Sequence, residues 1–149
     1  MRDDMGTDIH TQVQVFRDGH WQDHPLVVFD FRSYGFFGWL ADVRNYSAVP
    51  AIAARRGLPD GFGGARFANY HSASWVSAGE LARVDYGAEI EDRRYAEQMP
   101  SGMINGGATC APGAGKRMPL RDFLGSETMS DIESIIALGD ARVVFGFDS

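Results

Sequence analysis

The sequence predicts an α+β fold: a small, mostly antiparallel sheet with strands from both ends of the chain, three or four short helices, and long glycine-rich loops. Asp8–Phe16 and Arg142–Asp148 alternate apolar and polar residues with the period of two that is typical of strands. Between them, the helix-start pattern Ser-x-x-Glu begins at Ser77, and Ser130 with Glu133 repeats it. Strands at both ends with helices and loops between them indicate a compact α+β domain.

The chain opens with a predicted β-hairpin. Asp18-Gly19 follows the first alternating segment and is typical of a tight turn, and Trp21 begins a partner strand that ends before Pro25. Leu26–Phe31 is a short apolar run that suits either a strand or an extended lead-in to the next element.

The middle of the chain is predicted to hold two helices separated by a loop. Apolar residues recur every three or four positions in 34–44, which favours a short buried helix that Asn45 closes. Residues 47–68 are rich in glycine and contain two prolines, which predicts a loop with at most one helical turn. His71–Val76 is then expected to be extended and to run into the helix that begins at Ser77.

The second half is predicted to contain two further helices. Charged residues with a few apolar anchors favour a helix over Glu89–Gln98, which Pro100 ends. Ser101–Pro119 has no periodicity and is predicted to be a long loop. A helix is expected from Ser130 through Leu138, stopped by Gly139, before the final strand.

The composition is that of an acidic globular domain. Of the 149 residues, 44% are hydrophobic and 23% are charged, which argues against wholesale disorder. The formal charge of −6 repels a phosphate backbone, so general nucleic-acid binding is disfavoured. The single cysteine, Cys110, cannot form an internal disulfide. The longest apolar stretch, Tyr34–Val43, falls short of the about 20 residues of a spanning helix, and we expect a soluble cytoplasmic protein without membrane contact.

Asp8 and His10 form the first candidate site. They lie two residues apart on one face of the predicted strand, where both side chains can reach one ion or one substrate atom. Carboxylate and imidazole are common ligands of divalent metals, and His71 and Asp148 are the further donors that such a site would use. The alternative is an ordinary solvated sheet face.

The segment His71–Trp75 is the second candidate. Ser72 and Ser74 are predicted to share one face of an extended strand and His71 and Trp75 the other, so Ser72 is not expected to be activated by His71. The segment precedes a helix start, where unpaired backbone N–H groups favour an anion. The alternative is a polar connection in which Trp75 anchors the core.

Arginines surround the glycine-rich segment in the middle of the chain. They are Arg44, Arg55, Arg56 and Arg66. Guanidinium groups suit bidentate recognition of phosphate or carboxylate, and the alternative is a solvated loop balanced by neighbouring aspartates.

Five blocks of the sequence occur in order along the chain. They are Met5-Gly6-Thr7-Asp8-Ile9-His10, 37–45 (FGWLADVRN), Arg56-Gly57-Leu58-Pro59, His71–Trp75 with Glu80-Leu81 and Asp85-Tyr86 after it, and Arg142–Asp148. Together they resemble the signature of a small-protein family of bacteriophages and prophages that has no established activity. Family members begin at the residue matching Met5, so the resemblance implies one domain over residues 5–149, with residues 1–4 as an upstream extension.

The resemblance also implies a shared polar site and a biological setting. The polar residues inside the blocks include Asp8, His10, Arg44, Arg56, His71, Ser72, Ser74 and Asp148. Small soluble phage proteins commonly oppose bacterial defence or adjust host metabolism, so the expected location is the cytoplasm of an infected or lysogenic bacterium.

These observations lead to three hypotheses about function. The first is a module that needs no cofactor and binds a small phosphorylated or nucleotide-like ligand, such as a defence signal. Its residues would be Arg44, Tyr46, Arg56, His71, Ser72, Ser74 and Trp75. The second is a hydrolase of a phosphoester-type bond, in which Asp8, His10, His71 and Asp148 hold one divalent metal ion. The third is an inhibitor of a host defence protein that acts through its acidic surface. A homo-oligomer is compatible with each, and binding ranks first because it requires no third metal ligand.

Overall fold

The computed structural model describes residues 6–96 and 110–149, and the contacts of the chain divide them into two compact units. The first unit comprises residues 6–32, 53–84 and 127–149, and the second comprises 33–52, 85–96 and 110–126. Helices and antiparallel strands both contribute, so the predicted α+β class is confirmed. Within these described ranges, no helix combines the length and the apolar character needed to cross a bilayer.

A four-stranded antiparallel sheet forms the first unit. Its strands are β1 (Asp8–Arg17), β2 (His20–Asp23), β3 (His71–Ser77) and β6 (Ala141–Asp148), in the order β2-β1-β6-β3. The strands from the two ends of the sequence share this sheet, as predicted, and they are direct neighbours, with Asp8 opposite Asp148 and Val15 opposite Ala141. This register decides which side chains from the two ends of the chain can meet.

The predicted N-terminal hairpin is confirmed. Phe16 pairs with Trp21 across a two-residue turn whose residues, Asp18 and Gly19, both have positive φ. Two positive φ angles are typical of the turns that match the twist of paired strands. Leu26–Phe31 forms no strand, so of the two predicted possibilities it is the extended lead-in to the next element. It is attached to the sheet by a hydrogen bond in which Thr11 Oγ1 donates to the Val28 carbonyl at 3.1 Å.

Strand β6 is buried along almost its whole length, on both faces of the sheet. On one face, Val143, Phe145 and Phe147 are fully buried. On the other, Val144 packs against Phe62 and Phe67, which come from the glycine-rich loop and its single 3-10 turn (Gly64–Phe67). The loop therefore forms a second layer over this face, and it contains the one helical turn that the sequence allowed.

The sequence predicted both helices of the first unit, with the start of one correct and the start of the other misplaced. Helix α2 (Ala78–Arg83) begins with the predicted capping box, in which Ser77 Oγ accepts the Glu80 N–H and Glu80 accepts the Ser77 N–H. Helix α4 (Ser126–Ala137) begins four residues before the predicted start at Ser130. Ser130 is an interior residue whose carbonyl accepts the Ser134 hydroxyl, so its capping pattern is coincidental. Gly139, at φ 84°, follows the helix end as predicted.

The second unit contains α1 (Tyr34–Ala41), the two-stranded sheet of β4 (Glu89–Ala96) and β5 (Gly115–Pro119), and α3 (Leu120–Leu124). Helix α1 is buried from its second residue onward, as its apolar spacing predicted. It ends at Asp42, whose φ of 58° is left-handed, rather than at Asn45. Helix α3 was not predicted.

The helix predicted over Glu89–Gln98 is wrong, because this segment forms β4 and pairs with β5 inside the predicted loop of 101–119. The sequence pattern was misleading because a buried position of this strand holds a charged side chain instead of an apolar one. Asp92 is only 2% exposed and accepts hydrogen bonds from Ser47 Oγ and from Nε and Nη2 of Arg94. Residues 97–109, which include Gln98 and most of that predicted loop, lie outside the described residues.

Candidate functional site

A cavity of about 330 Å³ lies along strand β1 in the first unit. Strand β1 pairs with β2 only from Gln14 onward, so on the edge of β1 away from β6, residues 9–11 lie beside the irregular segment 27–30 instead of a strand. The remaining wall is formed by Arg66, Phe67 and Tyr70. A second cavity of about 470 Å³ follows along the same strand and shares Thr11 and Val27 with the first.

His10 is held in one orientation in the wall of the 330 Å³ cavity. Its Nε2 lies 2.5 Å from Asp148 Oδ2. Its ring stacks on Tyr70, with centroids 4.0 Å apart and planes within 3°. His10 Nδ1 makes no hydrogen bond with any described residue. The imidazole therefore combines a fixed direction with one nitrogen that is available to a ligand.

A glycine on the neighbouring strand makes room for this stack. Gly146 lies opposite His10, and a Cβ at this position would stand 2.9 Å from Tyr70 Cβ and 3.1 Å from Phe67 Cδ2. Side chains do not approach a Cβ so closely, so only glycine lets Tyr70 lie over the sheet here. A glycine inside a strand pattern was the sequence signal for such an approach.

Arg66 provides a cation in the wall of the same cavity. Its Nη1 donates to Asp23 at 3.2 Å and its Nη2 to Gln12 Oε1 at 2.8 Å, and its Cζ lies 4.4 Å from the centroid of Phe62. Burial raises the pKa of the Asp23 carboxyl, but hydrogen bonds from Gln14 and Arg66 outweigh it and hold that pKa below its ordinary value. These contacts fix the guanidinium while leaving its side chain 39% exposed.

A β-bulge changes the predicted faces of β3. His71 pairs with Phe147 and Ser74 with Phe145, so three residues of β3 span two of β6, and Ser72 has a left-handed φ of 58°. His71 and Ser74 therefore lie on one face, and the prediction that they lie on opposite faces is wrong. His71 Nδ1 also lies 2.8 Å from Ser72 Oγ, a contact that strict alternation had excluded.

The four predicted metal ligands do not form one group. Asp8, His10 and Asp148 share a face of the sheet, where the Asp8 carboxylate accepts the Arg32 Nε–H at 3.0 Å. His71 lies on the other face, with its Nε2 2.9 Å from Ser149 Oγ. Across residues 6–96 and 110–149, no group of three or more His, Cys, Asp or Glu side chains is arranged to hold an ion. The divalent metal stays a prediction.

Three of the predicted ligand-binding residues meet in an ion-paired cluster. Both Nη atoms of Arg56 donate to the Glu80 carboxylate, and its Cζ lies 4.4 Å from the Trp75 ring centroid. The Arg56 backbone N–H donates to the buried Ser74 hydroxyl at 2.9 Å. The hydrogen bond from Arg56 lowers the pKa of Glu80 to about 2, against a smaller opposing effect of burial. Arg56 is thus already neutralised within the chain.

The remaining two, Arg44 and Tyr46, belong to the second unit. Arg44 Nη1 donates to Tyr46 Oη at 3.0 Å, and its Cζ lies 5.3 Å from the Tyr34 ring centroid. Arg44 and Tyr46 contact each other, and their role in ligand binding stays a prediction.

Sequence reasoning missed three aromatic and cationic residues of the first unit: Tyr70, Trp21 and Arg142. Each of them contacts residues on another strand or loop, and the spacing of residues along the sequence does not reveal such contacts. In comparisons with known proteins, no family model, no curated protein and no solved structure matches this chain. The geometry therefore carries the functional argument.

Proposed function

We propose that this protein binds a small phosphorylated or nucleotide-like ligand in the cavity lined by His10, Arg66 and Tyr70. The observation that carries the proposal is the oriented His10 imidazole, stacked on Tyr70, in the same cavity wall as a guanidinium group. The volume of about 330 Å³ is within the range of small-molecule sites, which is about 300–1,000 Å³.

Each of the three side chains has a role suited to such a ligand. The Arg66 guanidinium pairs with the phosphate, because its planar donors match phosphate oxygens and its side chain is partly exposed. His10 offers Nδ1 as the hydrogen-bonding atom, since Nε2 is engaged by Asp148. Phe67 and Tyr70 meet edge to face at 5.2 Å and give the cavity an aromatic wall for the apolar part of a ligand.

This proposal changes the residues expected to hold the ligand. The sequence favoured Arg44 and Arg56 as the phosphate-binding cations, but Glu80 already binds both Nη atoms of the Arg56 guanidinium. Displacing Glu80 would leave a carboxylate without its partner, which is costly. Arg66 has weaker and more exposed partners, so it is the better phosphate ligand of the two.

Calorimetry against a panel of nucleotides, with recovery of the ligand after denaturation, tests the proposal. We expect saturable binding of at least one panel member, one ligand per chain, and recovery of the ligand intact. His10→Gln and Arg66→Gln should each weaken binding about tenfold or more, because each removes a charge-assisted or oriented hydrogen bond. The matched controls are His20→Gln at the exposed start of β2 and the exposed Arg83→Gln, which should bind as the wild type does. Absence of binding across the panel contradicts the proposal.

A hydrolase acting on a phosphoester-type bond is the second candidate. It is favoured by the His10–Asp148 pair, in which a carboxylate fixes the imidazole tautomer so that Nδ1 can accept a proton from water. The recovery step separates the two functions, because a hydrolase returns a cleaved ligand. Metal analysis of protein purified without added metal, followed by assays with Mn²⁺, Mg²⁺ and Zn²⁺, tests the predicted ion. No bound metal and no activity with any of the three would contradict the metal-dependent form.

The proposed biological role is that of a phage or prophage accessory protein that sequesters a signalling molecule of host defence. Its support is the order of the five sequence blocks, four of which contain a polar residue of the first unit. Expression in bacteria that carry a nucleotide-signalled defence should restore plaque formation, and Arg66→Gln should abolish the effect. Equal restoration by the variant would contradict sequestration in this cavity.

A further inference from the structure

Arg142 is buried on the same face of the sheet as His10, four residues away along β6 from the glycine opposite His10. The residue is only 6% exposed. At about 3.4 Å per residue, the two positions are about 14 Å apart along the strand. Arg142 therefore lies outside the cavity of the proposed function, and its role must be argued separately.

The contacts of Arg142 leave its positive charge without an acidic partner among the described residues. Its Nε donates to Gln14 Oε1 at 2.9 Å, while Gln14 Nε2 donates onward to Asp23 at 2.9 Å. No described carboxylate lies within 4.0 Å of the guanidinium, and its Nη atoms make no hydrogen bond. Burial of a charge without a counterion is costly, and accordingly desolvation lowers the pKa of Arg142.

Two tryptophan rings flank this guanidinium. The Arg142 Cζ lies 4.0 Å from the centroid of Trp21 and 5.8 Å from that of Trp75. The indole Nε1–H groups of both rings make no hydrogen bond with the described chain. Because every fully buried side-chain nitrogen or oxygen in the described residues has a partner, these unpaired donors must retain contact with solvent.

Among the described residues, the Nη donors of Arg142 and the two indole N–H groups thus have no acceptor, and the positive charge has no counterion. Aromatic faces stabilise the cation but do not neutralise it. The in-plane Nη donors of a guanidinium match an oxyanion in a bidentate manner. Phe16, which is 42% exposed and lies 5.3 Å from Trp21 between ring centroids, adds an apolar rim.

We propose that Arg142, Trp21 and Trp75 form a second ligand site, which binds an oxyanion group, carboxylate or phosphate, through the guanidinium Nη atoms. The oxyanion supplies the counterion that the described chain does not provide. This site is independent of the proposed function, because it uses neither His10 nor Arg66.

Titration of the wild-type protein with inorganic phosphate and, separately, with acetate tests this site, with sodium chloride keeping the ionic strength constant. Tryptophan fluorescence reports on Trp21 and Trp75 together with Trp39 of the second unit, and thermal unfolding reports on anion binding in general. We expect a saturable fluorescence change and a rise in melting temperature with at least one of the two anions. A response to phosphate alone identifies a phosphate site, and a response to acetate identifies a carboxylate site.

Two variants keep the test decisive. Arg142→Gln should weaken the anion response about tenfold or more. If that variant does not fold, Trp21→Leu replaces it, because Trp21 lies on the edge strand β2 and its loss should leave the fold intact. Trp21→Leu should weaken the response several-fold. Arg83→Gln is the matched control for lost charge and should leave the fluorescence response unchanged. Nucleotide binding in the cavity should be retained in Arg142→Gln, which separates this site from the proposed function. The proposal is overturned by no saturable response to either anion, or by an unchanged response in a folded Arg142→Gln or Trp21→Leu variant.

Discussion

His10 Nε2 and Asp148 Oδ2 lie 2.5 Å apart although 138 residues separate them in the chain. They meet because β1 and β6 pair in a register that places Asp8 opposite Asp148 and His10 opposite Gly146. A slip of one residue would move every side chain of one strand to the other face. The candidate site therefore depends on the pairing of the two terminal strands.

Removing the charge of Asp148 should weaken ligand binding in the 330 Å³ cavity. Asp148→Asn keeps the size of the side chain but loses the carboxylate that orients the His10 ring, and a hydrogen bond to a charged group contributes about 1.5–3 kcal/mol. We expect an affinity about tenfold lower or worse by calorimetry with the best nucleotide of the panel. Asp60→Asn in an exposed loop is the control, and equal affinities in both variants would show that Asp148 does not position His10.

Gly146→Ala should displace Tyr70 from its stack with His10. The added methyl group meets Tyr70 and Phe67 at about 3 Å, and overpacking of this kind costs about 1–3 kcal/mol of unfolding free energy. Urea denaturation should show that loss together with weaker ligand binding. Gly64→Ala is the matched control, because its nearest neighbour, Leu58 Cδ1, is 4.0 Å away. If Gly146→Ala binds the ligand as tightly as the wild type does, Tyr70 is not part of the binding site.

The Arg56–Glu80 pair should make stability depend on acid pH. The pKa of Glu80 is lowered from 4.5 to about 2 on folding, so its contribution is complete above about pH 4.5 and is lost as the pH falls toward 2. The shift corresponds to about 3 kcal/mol, and screening of a pair that is about a quarter exposed reduces the expected loss in Glu80→Gln to about 1–2 kcal/mol at pH 7.

Urea unfolding of wild type and Glu80→Gln between pH 7 and pH 2.5 checks this dependence. Glutamine keeps an acceptor for the Ser77 N–H, so the comparison isolates the charge. The stability difference between the two proteins should shrink as the pH falls. A difference that stays constant over this range would show that the pair contributes nothing through its charge.

The buried carboxylate of the second unit should be essential to that unit. Asp92→Ala removes the buried carboxylate that accepts hydrogen bonds from Arg94 and from the Ser47 hydroxyl, and breaking a buried pair costs about 3–5 kcal/mol. Glu89→Gln, in a pair with Arg117 that is about 60% exposed, is the matched control and should change stability by less than about 1 kcal/mol. Similar effects of the two changes on thermal unfolding would contradict the role given to Asp92.

Local patterns predicted the elements whose cause is local. The Asp18-Gly19 turn, the Ser77 capping box and the alternation of the terminal strands each act within a few residues, and the structure confirms them. Strand β4 escaped prediction because its buried position is an aspartate with arginine and serine partners, which no apolar periodicity reveals. The bulge at Ser72 likewise reversed the predicted faces of β3.

The candidate site was predicted in part. The sequence pointed to His10 and Asp148 as polar residues of the two terminal strands, but as metal ligands with His71, which the register places on the other face. Tyr70 and Arg66 join His10 only through the loop that covers the sheet, and a loop's path is not encoded in residue spacing. The contacts of Tyr70 and Arg66 with the sheet depend on long-range packing, so the sequence alone did not predict these two members of the site.

The most direct test of the proposed cavity is a titration of the protein with adenosine monophosphate, followed by NMR of the histidine ring signals. Assignment by His10→Gln and His20→Gln identifies the two signals that matter. We expect the His10 signals to shift saturably while those of His20, at the start of β2, stay in place. A saturable change elsewhere in the spectrum with the His10 signals unmoved would contradict it.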